Sequence, residues 1–134
     1  MAEQTMKVVL LEPGRQARAA EIDASLEGMQ EVVGGSIEAC YPFEEAVCLI
    51  CNEEGKLNGM PLNRALRDER GKIWDIIAGP CFLCDCSGED FGSLSEEQIT
   101  RYRYQFLRPE KFFRWGDEII ALPYTPGEPE RQER

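Results

Sequence analysis

Residues 46–52, with the sequence AVCLICN, form the most apolar strand-like run of this chain of 134 residues. A continuous apolar run of this length is typical of a strand that is buried on both faces. Two more apolar segments, residues 73–78 and 80–85, follow each other and are hinged at Gly79-Pro80. We therefore expect residues 46–52 to form a central strand and the other two segments to be strands as well.

Further short β-rich runs lie on both sides of these segments. Residues 6–11 end at Glu12-Pro13-Gly14, a turn sequence, and residues 18–22 can return as the second strand of a hairpin. Residues 36–41 and residues 118–122 are the remaining strand-like runs.

Two segments have the spacing and the end signals of helices. Apolar residues recur at helical spacing between residues 26 and 33, with Asp23 and Ser25 as candidate N-caps and Gly34-Gly35 as the C-terminal stop. Ser95-Glu96-Glu97-Gln98 is a capping box, which predicts that a second helix begins there.

Two prolines predict shorter helical or turn pieces. Pro61 is expected to open a short helix through Leu66, because proline is favoured in the first turn of a helix. Pro109 closes the second long helix and is expected to start a short turn that contains Phe112 and Phe113.

Short strands mixed with two helices predict an α+β fold, with a mainly antiparallel sheet of about five to seven short strands. The absence of an internal linker or repeat predicts a single α+β domain over residues 6–122. Residues 1–5 are expected to be an N-terminal extension, and residues 123–134, which are rich in Pro, Gly and charge, a flexible tail.

The charge balance disfavours several classes of function. Acidic residues outnumber basic residues by 25 to 15, so the net charge is −10. The phosphate backbones of DNA and RNA would repel such a chain, and no direct binding of nucleic acid is expected. The chain has no histidine, which removes Ser-His and Cys-His nucleophile pairs and imidazole zinc sites. No nucleophile–base pair is visible, and we predict that the protein is not an enzyme.

The charge is also uneven along the sequence. Residues 100–116 carry five basic residues and one acidic residue, for a net charge of +4. This basic segment is either a solvated helix face or a contact patch for an anion or a partner.

The sequence predicts a cytoplasmic protein. No charged start followed by an apolar stretch and a cleavage site is present, so no secretory signal is expected. The longest apolar runs, residues 8–11 and 46–51, are too short to cross a bilayer, and no membrane contact is expected.

Six cysteines include two Cys-x-x-Cys pairs, at residues 48–51 and 81–84, which is a spacing seen in four-thiolate zinc sites. Both pairs lie in strand-like runs, where residues three apart point to opposite faces and cannot chelate one metal ion without a bend. We therefore expect buried core thiols. Disulfide or redox chemistry, and a structural zinc site, remain the alternatives, and the zinc ligands would be Cys48, Cys51, Cys84 and Cys86.

Residues 52–64, NEEGKLNGMPLNR, contain the densest turn chemistry of the chain. Its polar side chains are either parts of a structural turn or a site for a small anion, a nucleotide or a partner. The spacing of a phosphate-binding P-loop is missing. The candidate binding residues are Asn52, Glu53, Glu54, Lys56, Asn63 and Arg64.

Several of these motifs recur together in one known family. They are MKVV at residues 6–9 with EPG at 12–14; Leu26 with MQEVVGG at 29–35 and IEA at 37–39; NEEGK at 52–56 with Gly59, Pro61, Asn63 and Arg64; and IIAG at 76–79. On these residues the chain from 6 to about 122 resembles the uncharacterised family named domain of unknown function 3846. The resemblance implies a short protein of a phage or conjugative element of gut bacteria, and it implies no activity or catalytic residue.

These observations favour a non-enzymatic acidic binding protein of a phage or mobile element. Its expected partner is a host or defence protein that is basic or binds nucleic acid, which it would inhibit by direct contact in competition with nucleic acid, as an anti-CRISPR or antirestriction factor does. One alternative is a small-ligand or nucleotide-sequestering protein that uses residues 52–64 and the basic segment. The other is a zinc-containing structural protein; no other cofactor is expected, and the oligomeric state stays open.

Overall fold

The computed structural model describes residues 4–127 of the chain. Within these residues it contains two helices and nine strands, and the strands pair in antiparallel sheets of five, two and two strands. The elements are β1 (Thr5–Leu11), β2 (Arg18–Asp23), α1 (Leu26–Val33), β3 (Ile37–Cys40), β4 (Val47–Asn52), β5 (Leu62–Arg67), β6 (Ile73–Ala78), β7 (Cys81–Asp85), α2 (Glu96–Gln105), β8 (Glu110–Trp115) and β9 (Glu118–Pro123).

The largest sheet has the strand order β2-β1-β7-β4-β3. All six residues of β4 are buried, and the strand pairs with β3 on one side and β7 on the other. The predicted α+β class, the two helices and the interior position of residues 46–52 are therefore confirmed.

The five-stranded sheet is covered on both faces. Successive residues of a strand point to opposite faces, and the inner strands carry apolar residues on both. On one face, Met29 and Val33 of α1 pack in a cluster with Phe82 of β7. On the other face, Tyr102 of α2 and Leu66 of β5 belong to the second buried cluster.

The helix α1 begins and ends where the sequence predicts. The Ser25 side chain accepts a hydrogen bond from the Gly28 amide, and the Asp23 carboxylate accepts one from the Ser25 amide. Gly34 ends the helix with a φ of 84°, a left-handed conformation that favours glycine. The capping box at Ser95 and Gln98 is present at the start of α2.

Two segments that the sequence analysis assigned to helix or turn are strands, and both predictions were wrong. The segment after Pro61 is β5, which pairs with β6, and the segment that contains Phe112 and Phe113 is β8, which pairs with β9. Pairing with the next strand along the chain supplies the backbone hydrogen bonds in both cases, and the local preference of proline for a helix start is overridden.

The hairpin of β8 and β9 stacks on the hairpin of β5 and β6, away from the five-stranded sheet. Ala121 lies in one small cluster with Ala65 and Ile76, and Phe112 packs against it. The hairpin thus forms the outermost layer on the α2 side of the molecule.

The described residues contain no helix that is long and apolar enough to span a membrane. Thr5, which was assigned to the extension, begins β1, and Pro123, which was assigned to the tail, ends β9. Residues 1–3 and 128–134 of the predicted extension and tail lie outside the described residues.

Candidate functional site

The predicted binding residues between 52 and 64 do not converge on one surface. Asn52 is buried at the end of β4, where its Nδ2 donates to the carbonyl oxygen of Val33 at 3.1 Å and its Oδ1 accepts from the Glu54 amide at 2.7 Å. Its amide group satisfies a free carbonyl at the end of α1 and fixes the turn that follows β4.

Asn63 lies in the interior of the molecule, with no exposed surface. Its Nδ2 donates to the carbonyl oxygens of Leu11 at 3.0 Å and Gly79 at 2.8 Å. Its Oδ1 accepts a hydrogen bond from Nη1 of Arg64 at 2.8 Å. The side chain therefore ties β5 to the ends of two other strands, which is a structural role.

Arg64 is 2% exposed, and carbonyl oxygens surround its guanidinium. Nε donates to the carbonyl of Phe106 at 3.1 Å, and Nη2 donates to the carbonyl of Arg15 at 2.8 Å. Burial lowers the pKa of this guanidinium from its usual range. The side chain joins the end of α2 and the β1–β2 connection to β5, and it is not presented to a ligand.

The remaining candidates of this segment lie at the surface. Nζ of Lys56 pairs with Oδ1 of Asp75 on β6 at 2.7 Å, while Glu53 and Glu54 are exposed. The polar set that was the candidate for a binding site is thus divided between the interior and the surface. The apolar residues Leu62, Ala65 and Leu66, which flank Asn63 and Arg64, are the sequence feature that could have indicated a buried strand.

The cysteines occupy both faces of the five-stranded sheet, as the strand interpretation predicts. Cys48 and Cys84 are direct cross-strand partners on the α1 side, with their Sγ atoms 3.6 Å apart. Cys51 and Cys81 belong to the cluster on the opposite side. The alternative zinc set of Cys48, Cys51, Cys84 and Cys86 is therefore separated by the sheet, and no group of three or more His, Cys, Asp or Glu within residues 4–127 could hold a metal ion.

The thiols differ in their ionisation. A hydrogen bond from Cys51 lowers the pKa of half-buried Cys40, whereas the same contact and burial raise the pKa of Cys51. Burial raises the pKa of Cys81 to about 12. Because the thiolate is the reactive form, Cys40 is expected to react with alkylating reagents before Cys51 and Cys81 do.

The carboxylate of Glu45, which lies in the connection between β3 and β4, links this connection to α2. It accepts hydrogen bonds from the Tyr102 hydroxyl, from Nη1 of Arg101 at 2.7 Å and from Nε2 of Gln98 at 3.2 Å. These donors, the Tyr102 hydroxyl first among them, lower the pKa of Glu45 to about 2. Desolvation and the bond to Glu45 raise the pKa of Tyr102 to about 12.

Acidic side chains gather around α1. Within the described residues, none of the carboxylates in this group forms an ion pair with a lysine or an arginine. Glu27 and Glu31 are exposed on α1, and Glu89 and Asp90 line a depression at its start together with Leu26. The group, called here the α1 face, consists of Asp23, Glu27, Glu31, Glu53, Glu54, Glu89 and Asp90.

The basic segment, residues 100–116, does not form one helix face. It runs from α2 into β8, and on α2 Arg101 is already paired with Glu45 at 2.7 Å. On β8 it is accompanied by exposed aromatic residues, since Phe113 is 50% exposed and Trp115 is 72% exposed. This surface, which combines apolar and basic groups, differs chemically from the α1 face.

Comparison with known proteins gives one match. The family Domain of unknown function (DUF3846) matches residues 6–107, from β1 to just beyond α2. The β8–β9 hairpin lies outside the matched residues. No curated protein and no solved structure is detectably similar to the chain.

Proposed function

The chain belongs to the family Domain of unknown function (DUF3846), and from that membership and its charge distribution we propose that it is a non-enzymatic binding protein. Its partner is a basic host protein that binds nucleic acid, such as a defence nuclease encountered by a phage or mobile element. The protein occupies the basic groove of that partner and excludes the nucleic acid from it.

The observation that supports this proposal is the α1 face, with its seven carboxylates. Five of the seven lie within residues 19–55, a stretch that contains no lysine or arginine. The carboxylates therefore create a field of one sign on this side, which attracts a basic surface and raises the rate of encounter.

The nucleotide-binding alternative has less support. Asn52, Asn63 and Arg64 use their polar groups inside the fold, and Lys56 is held by Asp75. A phosphate group would also approach a protein with a net charge of −10, which adds repulsion.

The experiment is a competition assay with purified defence nucleases. Each nuclease of a panel that contains a restriction endonuclease and a CRISPR effector is bound to a fluorescent DNA duplex, and release is followed by anisotropy. We expect the protein to displace the duplex from at least one nuclease at about 50 mM salt. The effect should be lost near 300 mM salt, because screening weakens contacts between exposed charges.

Two matched triple variants locate the surface. Glu27→Gln/Glu31→Gln/Glu89→Gln neutralises part of the α1 face, and Glu44→Gln/Glu69→Gln/Glu97→Gln removes the same number of charges elsewhere. We expect the first variant to need at least a tenfold higher concentration for displacement and the second to act like the wild type. Equal loss in both variants, or no displacement from any nuclease, contradicts the proposal.

A further inference from the structure

The β8–β9 hairpin presents one apolar face to solvent. Cross-strand partners share a face of a sheet, and the register pairs Lys111 with Leu122, Phe113 with Ile120 and Trp115 with Glu118. These six residues alternate with Phe112 and Ala121, whose face is turned toward the β5–β6 hairpin. They are called here the outer hairpin face.

The outer hairpin face is unusually apolar for a surface. Trp115 is 72% exposed, Leu122 is 52% exposed and Phe113 is 50% exposed. Contiguous exposed apolar side chains of this kind mark interaction sites, whereas scattered single ones do not. A two-stranded sheet also leaves both of its faces dependent on neighbours, and here only one face has a neighbour.

Two opposite charges stand at the two ends of this face. Lys111 lies at the end near α2, where its Nζ is 4.9 Å from the centre of the Tyr124 ring, and Glu118 lies at the tip. Neither forms an ion pair within the part of the chain that the structure describes. They are too far apart to pair within one chain, since four residues of strand separate their positions by about 13 Å.

This arrangement is self-complementary under a two-fold rotation. Two outer hairpin faces can be stacked about a two-fold axis that lies between the copies and crosses both strands at the level of Phe113 and Ile120. The Lys111 end of one copy then lies over the Glu118 end of the other. In such an interface, a contact between residue i of one copy and residue j of the other is repeated between j of the first and i of the second. Lys111 then meets both the Glu118 carboxylate and the Trp115 ring of its counterpart, two groups that attract a cation.

We propose that the outer hairpin face binds a second copy of this chain, in a two-fold dimer in which Lys111 of each copy pairs with Glu118 of the other. The charge distribution favours this end of the molecule for self-association. The hairpin, residues 110–123, has a net charge of −1, with two basic and three acidic residues, whereas the whole chain carries −10. Two copies that meet here keep their α1 faces out of contact.

The dimer is expected to be weak. A face of two six-residue strands is at the lower end of the size of specific interfaces, where weak and transient contacts are found, and we expect a dissociation constant on the order of 10 µM. Sedimentation velocity of the full chain between about 1 and 200 µM should therefore show a monomer that converts to a dimer as the concentration rises.

A charge exchange tests the arrangement. Lys111→Glu and Glu118→Lys should each raise the dissociation constant about tenfold, because each places like charges opposite one another twice. The double variant Lys111→Glu/Glu118→Lys restores both pairs with their signs exchanged, and its dissociation constant should return to within about threefold of the wild type. Phe113→Thr/Trp115→Thr should leave only monomer over the same range, with the circular dichroism spectrum unchanged.

Three outcomes overturn the proposal. The first is a chain that stays monomeric at 200 µM, in which case the outer hairpin face serves another protein or a membrane. The second is a dimer that survives Phe113→Thr/Trp115→Thr, which locates the interface elsewhere. The third is a double charge variant that associates no better than the two single variants, which rules out the Lys111–Glu118 pairing.

Discussion

The five-stranded sheet and the β8–β9 hairpin are built from similarly apolar strands, but their side chains meet different surroundings. Phe82 on β7 has no exposed surface, whereas Phe113 on β8 is 50% exposed. The sheet has α1 on one face and α2 with the β5–β6 hairpin on the other, and the β8–β9 hairpin has a neighbour on one face. An apolar side chain therefore stabilises the fold in the five-stranded sheet, whereas on the outer face of the β8–β9 hairpin it is available for contact with another molecule.

The family match follows the same division. Apart from Thr5 at the start of β1, residues 6–107 contain every strand of the five-stranded sheet and both helices, while β8 and β9 lie outside them. The α1 face belongs to the matched part, and the outer hairpin face does not. The two proposed binding surfaces can therefore be tested independently, since variants of one leave the other intact.

The largest expected effect is that of a cavity in the sheet. Phe82→Ala should lower the free energy of unfolding by about 3–5 kcal/mol, because it removes a fully buried ring from the centre of the cluster under α1. Phe113→Ala should lower it by less than about 1 kcal/mol. Urea unfolding at about 2 µM protein, where the proposed dimer is mostly dissociated, measures both values.

Equal losses in these two variants would show that the hairpin is part of the cooperative core, and the division between the two regions would then be wrong.

Replacement of a buried arginine should have the next largest effect. Arg64→Met keeps the volume of the side chain but leaves the carbonyl oxygens of Phe106 and Arg15 without their donor. We expect a loss of about 2–4 kcal/mol in the free energy of unfolding. Arg114→Met on exposed β8 is the matched control, with an expected change within about 0.5 kcal/mol.

Thermal unfolding of the pair followed by circular dichroism checks this prediction. A stable Arg64→Met variant would mean that the guanidinium is not required to join α2 and the β1–β2 connection to β5.

The sequence carries most of the information on the sheet. Alternation explains why Cys48 and Cys51 point to opposite faces, and the residues at the start of α2 contain the complete capping box. These features are local, so they can be recognised without knowledge of the tertiary structure. All seven strands that were expected from apolar runs are present.

The buried position of Arg64, and the contact between the two missed strands, depend on residues that are distant in the sequence. The strand β5 follows Pro61, and its backbone amide at Ala65 donates to the Glu110 carboxylate, 45 positions further along the chain. From the sequence, Arg64 is expected to be a surface cation. Its acceptors are backbone carbonyls that come together only when the chain folds. No pattern of residue types marks such acceptors, so the sequence leaves a structural turn and a binding site as alternatives for residues 52–64. In the fold, Asn52, Asn63 and Arg64 make structural contacts inside the molecule.

The smallest expected effect concerns the contact that holds α2 over the sheet. The pKa of Glu45 is about 2 in the folded chain, below its ordinary value of 4.5, because Tyr102, Arg101 and Gln98 donate to the carboxylate. A carboxyl whose pKa is lower in the folded than in the unfolded state stabilises the folded protein at pH values above its unfolded pKa. This contribution is lost as the pH falls from about 4.5 toward 2. Glu45→Gln should therefore melt below the wild type at pH 7, and the difference should shrink over that interval.

We expect this difference in melting temperature to be smaller than that of Arg64→Met, because the Glu45 contact is partly exposed and Arg64 is buried. Tyr102→Phe removes the first donor to Glu45, so in that background the pH-dependent part of the Glu45→Gln effect should decrease. A difference in melting temperature that stays constant from pH 7 to pH 2.5 would mean that the Glu45 carboxylate does not hold α2 in solution. The position of α2 on this face of the sheet would then depend on the packing of Tyr102 and Phe106 and on the hydrogen bond from Arg64 to the Phe106 carbonyl.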